Sequence, residues 1–397
     1  MWKVKGNKKM KRNILRFSLL IGAIFISCCL VKWIVGGRPK DFSSIQIIPN
    51  DYYTRSYLVY GNSSGEVIDK VKLPKGKGVG YSSLRQTGNT VYFDAYPEIS
   101  TILTYNTQTQ TLDELMTLDK KYESINPYSE QLAVIINGGF SGDGESYRSG
   151  ICYLDESWEC LDLESNLHIW TGTTFKDKIY VYADAAYPQF DENDNIIREE
   201  KILIYDKEFN QVASIDVNEE LNLGRDVIYF YPYQDSLFLL GEGLETGQFT
   251  ILEVDEQVQV KSRLSFAETN NEARNLCTPL SFFEEDKGNL ILELACDKAK
   301  GSEGYDPATV QEDNLLLKLD FNHLDSTSPA IKEIGEHRSV GVNFETDQLL
   351  TLNRVGKSSV HSVHVYNLDF EFQEVREIEK FDHRLPTLID FAERKDN

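Results

Sequence analysis

Beyond residue 40 the chain is a series of short apolar runs broken by Gly, Asp, Asn and Lys. Typical runs are 178–182 (KIYVY), 236–240 (SLFLL), 289–294 (NLILEL) and 314–319 (NLLLKL). Some alternate apolar with polar residues and others are continuous, the mixture expected of strands in sheets covered on both faces. The pattern predicts an all-β body.

A period runs through these strands. An apolar strand ends, a turn-forming residue follows, and a second strand leads away. The turn-formers are Gly61, Asn106, Asp155, Asp206, Asp255, Asp320 and Asn367, spaced 45, 49, 51, 49, 65 and 47 residues apart. Asp and Asn side chains accept hydrogen bonds from the backbone two residues on, which starts a turn. Tyr60, Tyr105, Tyr205 and Tyr366 stand beside four of them. Each interval holds four strands, for example 169–174, 178–183, 202–205 and 211–217. The same filling gives 227–231, 236–240, 249–254 and 258–264; then 277–283, 289–296, 314–319 and 331–334; then 339–344, 348–353, 360–366 and 372–378. Four strands per repeat of about 40–50 residues is the period of propeller blades. Three strands precede the first full unit (44–48, 56–60, 67–73) and one follows the last (385–391), so the two ends complete one blade. The expected fold is a seven-bladed β-propeller over residues 44–391, its last blade closed by strand 385–391 with 44–73, followed by a tail at 392–397.

The first 40 residues read differently. They carry ten bases and no acid, and 17–31 (FSLLIGAIFISCCLV) is uncharged. Residues 14–35 reach the length of a membrane-spanning helix if Arg16 and Lys32 extend toward the head groups. Residues 1–35 are therefore expected to be a basic cytoplasmic start plus a single transmembrane or signal-anchor helix, with 36–43 as linker. The positive charge before the helix keeps the N-terminus in the cytoplasm and the body outside. Two alternatives also export the body: a lipoprotein signal with Cys28 as the lipidated residue, and a cleaved signal that leaves it secreted.

The formal charge of −22 then divides sharply. Residues 41–397 hold 31 bases against 63 acids, a net of −32. Such a body repels nucleic acid, so none is expected as a partner. An exported body permits disulfides. Cys152 and Cys160 are centred on a turn near residue 156, and Cys277 and Cys296 on one at 285–288, so both pairs fall in cross-strand register. They are expected to be structural disulfides; four cysteines without a Cys-x-x-Cys spacing make a poor metal site.

Chemistry-bearing motifs are sparse. His168, His323, His337, His361, His364 and His383 form no ligand spacing; His361 and His364, three apart on a strand, face opposite ways. Residues 190–195 (FDENDN) alternate acids and amides, but Ile196 and Ile202 stand where an EF-hand needs Gly and Glu, so Ca2+ is an alternative without a motif behind it. No metal or other cofactor is expected. Three loops between second and third strands, 137–149, 184–200 and 297–313, carry thirteen acids and four bases. In a propeller they open on one face, and long loops on a rigid scaffold commonly carry binding. Asp143, Glu145, Asp191, Asp194, Glu303 and Asp306 are the candidate binding residues, for a protein or cationic ligand.

The repeat resembles that of extracytoplasmic bacterial β-propeller proteins with degenerate blades of the Tyr-Val-Thr-Asn or quinoprotein-like kind. The resemblance spans 44–391 and is architectural. The Trp-Asp ending of WD40 blades, the Gly-Gly pairs of kelch blades, the sialidase box and the Trp-rich docking repeats are missing, so it brings no catalytic residue. The expected function is a membrane-tethered binding or scaffold protein on the bacterial cell surface. The alternative is an exported lyase, lactonase or glycoside-active enzyme working at a central channel, for which the inner strands offer Tyr229, Tyr231, His168 and Asp390.

Overall fold

The computed structural model describes residues 42–391 except 50–54, 75–78, 80–83, 94–100, 118–123, 128–132, 141–146, 155–157, 166, 186–188, 191–195, 198–199, 224, 243–247, 268–276, 286–287, 298–311, 325–328, 354–358 and 383. Strands dominate them. Ser44–Ile48 (β1), Tyr57–Gly61 (β2) and Val67–Lys72 (β3) open the chain. Leu84–Thr87 (β4), Thr90–Phe93 (β5), Thr101–Asn106 (β6) and Thr111–Thr117 (β7) follow, then Ser124–Pro127 (β8), Ala133–Phe140 (β9), Tyr147–Leu154 (β10) and Trp158–Ser165 (β11). Leu167–Phe175 (β12) and Lys178–Ala185 (β13) precede a short hairpin of Gln189–Phe190 (β14) and Ile196–Ile197 (β15). Lys201–Asp206 (β16) and Gln211–Asp216 (β17) lead into a one-turn helix, Val217–Leu221 (α1). Next come Arg225–Tyr233 (β18), Ser236–Glu242 (β19), Gln248–Val254 (β20) and Val260–Ala267 (β21), then Cys277–Glu285 (β22), Asn289–Asp297 (β23), Glu312–Asp320 (β24) and Ala330–Gly335 (β25). His337–Asn343 (β26), Gln348–Asn353 (β27), Val360–Tyr366 (β28), Phe372–Glu379 (β29) and Leu388–Phe391 (β30) end it.

Among the described residues these make five four-stranded antiparallel sheets, one eight-stranded sheet and the β14–β15 hairpin. The eight-stranded sheet is two antiparallel four-stranded halves, β4–β7 and β22–β25, joined by parallel pairing of β4 with β22. The first sheet has the order β3-β2-β1-β30, so the C-terminal strand pairs with β1. That strand begins at Leu388, three residues later than the apolar pattern suggested, because Arg384 is engaged elsewhere. Its guanidinium donates to the carbonyls of Pro49 (2.8 Å) and Arg55 (3.1 Å), and Thr387 N donates to Ile47 O.

Burial explains why the middle strands are apolar throughout and the fourth strands are not. β1 is buried at every position and β13, β16 and β27 at most, whereas β3 and β29 are largely exposed and charged and β17 is half exposed. Sheets stacked face to face bury both sides of their central strands, and the charged outer strands blunt the open edges. The stacking follows chain order. One core cluster joins the sheets of β9–β11, β12–β17 and β18–β21 to the β22–β25 half, and another joins the β1 sheet, the β4–β7 half, the β22–β25 half and the β26 sheet. β5 lies against β8, and a third cluster packs the β26 sheet on the β1 sheet.

The turns after the third strands repeat one geometry. In four of them an Asx residue donates its N–H to the carbonyl four residues on, and its own carbonyl accepts from the N–H three residues on: Asn62, Asp206, Asp255 and Asn367. The Asx side chain adds a bond from the fourth residue's N–H, at 2.9, 2.8, 2.9 and 2.7 Å respectively. The third residue takes positive φ: Gly65 (83°), Phe209 (61°), Val258 (63°) and Phe370 (64°). This is the three-residue hairpin loop with a left-handed closing residue. A left-handed non-glycine costs on the order of 1–2 kcal/mol; here the side chain offsets it by packing inward, Val258 and Phe370 being buried and Phe209 meeting Tyr153 edge to face at 5.4 Å. The first turn-former is thus Asn62 and not Gly61, which is the last residue of β2.

Asp390 locks β30 to the next unit. It is buried and accepts from the Tyr105 hydroxyl at 2.7 Å and from Gln110. Burial raises its pKa to about 6, against the lowering pull of those two bonds. Its contribution therefore favours the fold below about pH 4 and weakens as pH rises toward 6. His168, His337 and His361 act in the opposite sense: burial lowers each to about 4, so their contribution is complete above the ordinary histidine value and is lost as pH falls through 4.

Two outcomes are expected. Gly65→Ala would set a Cβ 2.1 Å from the Glu377 carbonyl oxygen at a left-handed φ and should lower stability by about 2–3 kcal/mol or more, against about 1 kcal/mol for Asn367→Ala; urea midpoints at pH 7 distinguish them. Tyr105→Phe should cost about 1–3 kcal/mol at pH 7, where Asp390 is ionised, and less than half that at pH 4, where it is protonated. Equal losses at both pH values would show that the phenol does not stabilise the carboxylate.

Candidate functional site

The loop face can be built from its flanking strands. The six candidate acids, Asp143, Glu145, Asp191, Asp194, Glu303 and Asp306, lie outside the described residues, as do Cys28 and the whole of 1–41. Among the described residues no helix is long and apolar enough to cross a membrane. The irregular stretches are shorter than the sequence suggests. β9 extends through Phe140, β10 starts at Tyr147, β13 carries Asp184, β23 carries Asp297 and β24 carries Glu312 and Asp313. The 184–200 segment also folds back on itself as β14–β15. Glu200 is 3% exposed and its carbonyl accepts from Val217 N, so it is no part of an acidic surface.

At the loop end of β12 an aromatic group gathers. The His168 ring meets Trp170 edge to face at 4.2 Å and Tyr147 edge to face at 5.0 Å. Tyr147 is the first residue of β10, just past one acidic loop, and His168 pairs in register with Asp184, just before another. Between Ile169 and Thr171 the β12–β13 register shifts, which leaves Trp170 as the extra residue of a bulge. Trp170 is 52% exposed.

The remaining residues offered to a channel are packed between sheets. Tyr229 stacks on Phe282 at 4.2 Å and Tyr231 on Phe321 at 4.2 Å, and burial pushes the Tyr231 hydroxyl's pKa well up. Asp390 is held by Tyr105, as above. Where first strands meet, β4 fills the space. The Arg85 guanidinium lies 3.9 Å over the Phe282 ring and donates to Leu280 O, Gln86 donates to Val342 O of β26 at 2.9 Å, and Leu84 N donates to the buried Ser281 hydroxyl. The parallel β4–β22 register runs Arg85 to Phe282, Gln86 to Phe283 and Thr87 to Glu284.

His361 and His364 do face opposite ways: His361 is 3% exposed, and its neutral form is favoured by burial and then by Lys380. His364 instead meets His337, ring centroids 4.2 Å apart, with Thr351 beside His337 Nδ1. The two are 27 residues apart in sequence, so spacing gave no signal. Among the described residues no three His, Cys, Asp or Glu side chains converge as a metal site. A cleft of about 390 Å³ opens at the other end of the sheets, between Tyr233, Phe238 and Phe321, with Glu253 bound by the Ser236 (2.6 Å) and Ser262 (3.0 Å) hydroxyls. Sequence reasoning missed it, since its walls come from β18–β21 and the turn after β24.

Cys152 and Cys160 are opposed in the β10–β11 register and form a disulfide. Cys277 and Cys296 are likewise opposed in the β22–β23 register. The Cys152→Ser/Cys160→Ser double variant should lose about 2–3 kcal/mol, the loop-closure value for so short a ring; a denaturation series with and without reductant reads it, and unchanged midpoints would remove the bridge from the stability of this sheet.

No family model matches this chain, and no curated protein matches it. Solved structures do. The cobalt-substituted Synechocystis apocarotenoid oxygenase aligns over 88% of this chain and 92% of its own, with 11% identity and a TM-score of 0.46. The β-propeller domain of the Trilobed protease from Pyrococcus furiosus aligns over 86% and 96%, with 13% identity and a TM-score of 0.42. The tricorn protease aligns over 87% of this chain and 36% of its own, with 12% identity and a TM-score of 0.41.

Proposed function

We propose that this chain is a seven-bladed β-propeller held at the outer face of a bacterial membrane by its N-terminal segment, and that it acts as a binding or scaffold protein through its acidic loop face. The blades in this reading are the five four-stranded sheets and the two halves of the eight-stranded one. One observation carries the preference for binding over catalysis. In a ring of seven, the units of β4 and β22 are not neighbours, so their parallel pairing crosses the axis. Arg85, Gln86 and Ser281, all buried, then occupy the space in which a propeller enzyme would converge its catalytic groups. This leaves the rims for function, and the reading assigns it to the acid-rich loops. The Cys152–Cys160 bridge supports export, since such bonds persist in oxidising compartments.

The partner in this reading is a basic protein or other cationic ligand. Crosslinking on intact cells, followed by pull-down, tests address and partner together. The expected partner is captured by an externally added, membrane-impermeant crosslinker, more weakly at high salt. It is lost when Asp143, Glu145, Asp191, Asp194, Glu303 and Asp306 are replaced by their amides. Capture that ignores both salt and the six substitutions would reject the acidic face, and a body inaccessible from outside would reject the topology.

A further inference from the structure

The bulge in β12 has counterparts. The same shift occurs between Pro279 and Ser281 of β22 and between Ser339 and Gly341 of β26. There the extra residues are Leu280 and Val340; Val340 is 1% exposed, an apolar side chain packed away as a core position should be. In β12 the extra residue is Trp170, half exposed and met by the His168 ring, which Tyr147 in turn meets edge to face. Where β22 and β26 set aliphatic residues at the bulge, β12 leaves a large aromatic half exposed, placed to present its ring to solvent.

We propose that Trp170, braced by His168, is a platform for a cationic nitrogen, either a quaternary ammonium or a protonated amine. Three observations favour a cation over a neutral ring. The indole face is the strongest cation–π acceptor among side chains. Its brace brings no positive charge at neutral pH, because burial keeps His168 neutral. Asp184 stands opposite His168 in the β12–β13 register, and the body carries a net charge of −32, which attracts cations. The assignment rests on the acidic loop face being the binding face, and gives that face an anchor.

The test titrates the full-length, detergent-solubilised chain with tetramethylammonium and with its uncharged isostere neopentyl alcohol, following bound ligand by saturation-transfer NMR. Tetramethylammonium should bind and the alcohol should not. Trp170→Leu should weaken the ammonium at least tenfold and Trp170→Phe by less, both variants unfolding cooperatively like the parent. The chain with the six loop acids amidated separates the two ideas. Loss of ammonium binding on Trp170→Leu but not on amidation keeps the platform and discards the acidic face. Loss on amidation alone does the reverse. Equal binding of ammonium and alcohol, or Trp170-dependent binding of a neutral trisaccharide in place of the ammonium, overturns the proposal.

Discussion

The fold depends on a joint between its two ends. β1 is buried at every position and sits between β2 and β30, so without the last four-residue strand its inner edge would carry unpaired backbone groups in an apolar setting. Such an edge is costly and open to pairing with other chains. Four ladder positions alone make a weak clasp. Arg384 strengthens it from outside the strand: it spans the carbonyls of Pro49 and Arg55, pairs with Asp382 at 3.1 Å and lies over the Tyr57 ring. A charged group 8% exposed is tolerable because backbone dipoles and a carboxylate surround it. The pairing joins residues more than three hundred positions apart, so closing it carries a large loop-closure entropy.

Much of this was legible beforehand. Gln348–Asn353 and Val360–Tyr366 coincide with the apolar runs that announced them, and the Asx turns at Asp206, Asp255 and Asn367 stand where their side chains said they would. These features are local: a side chain meets its own backbone, or a run of apolar residues meets the pleat. The first turn was misread because Gly61 looked like the breaker; in the structure Asn62 is, and Gly61 stays in the strand because a Cβ there would sit 2.4 Å from the Ser44 hydroxyl. Ends of strands were misread where side chains gave no cue, as along 137–149.

What was not legible is non-local. Nothing in Leu84–Thr87 announces a parallel partner almost two hundred residues away, or that the Arg85 guanidinium lies over the Phe282 ring. The His337–His364 contact and the Tyr233 cleft arise the same way, from strands that only the tertiary fold makes neighbours. The candidate site divides along this line. Its acids were visible as composition, whereas Trp170 reads as an ordinary strand residue until the register with β13 shows it to be the extra residue of a bulge.

Three of the buried polar groups share a location that composition would not suggest. Asp390 with Tyr105 joins the β1 sheet to the β4–β7 half. Glu293 accepts from Ser339 N and Asn314, joining the β22–β25 half to the β26 sheet, and Gln86 ties β4 to β26. Each therefore bridges one unit to another. The apolar faces of these units are built from the same few residues, Leu, Ile, Val and Tyr, and could stack in more than one order or register at similar cost. A buried carboxylate or amide cannot, because misplacing it leaves a desolvated group without its donor, a loss of several times a typical hydrogen bond's net worth. In a chain of near-repeats, the polar joints supply the specificity that apolar packing lacks.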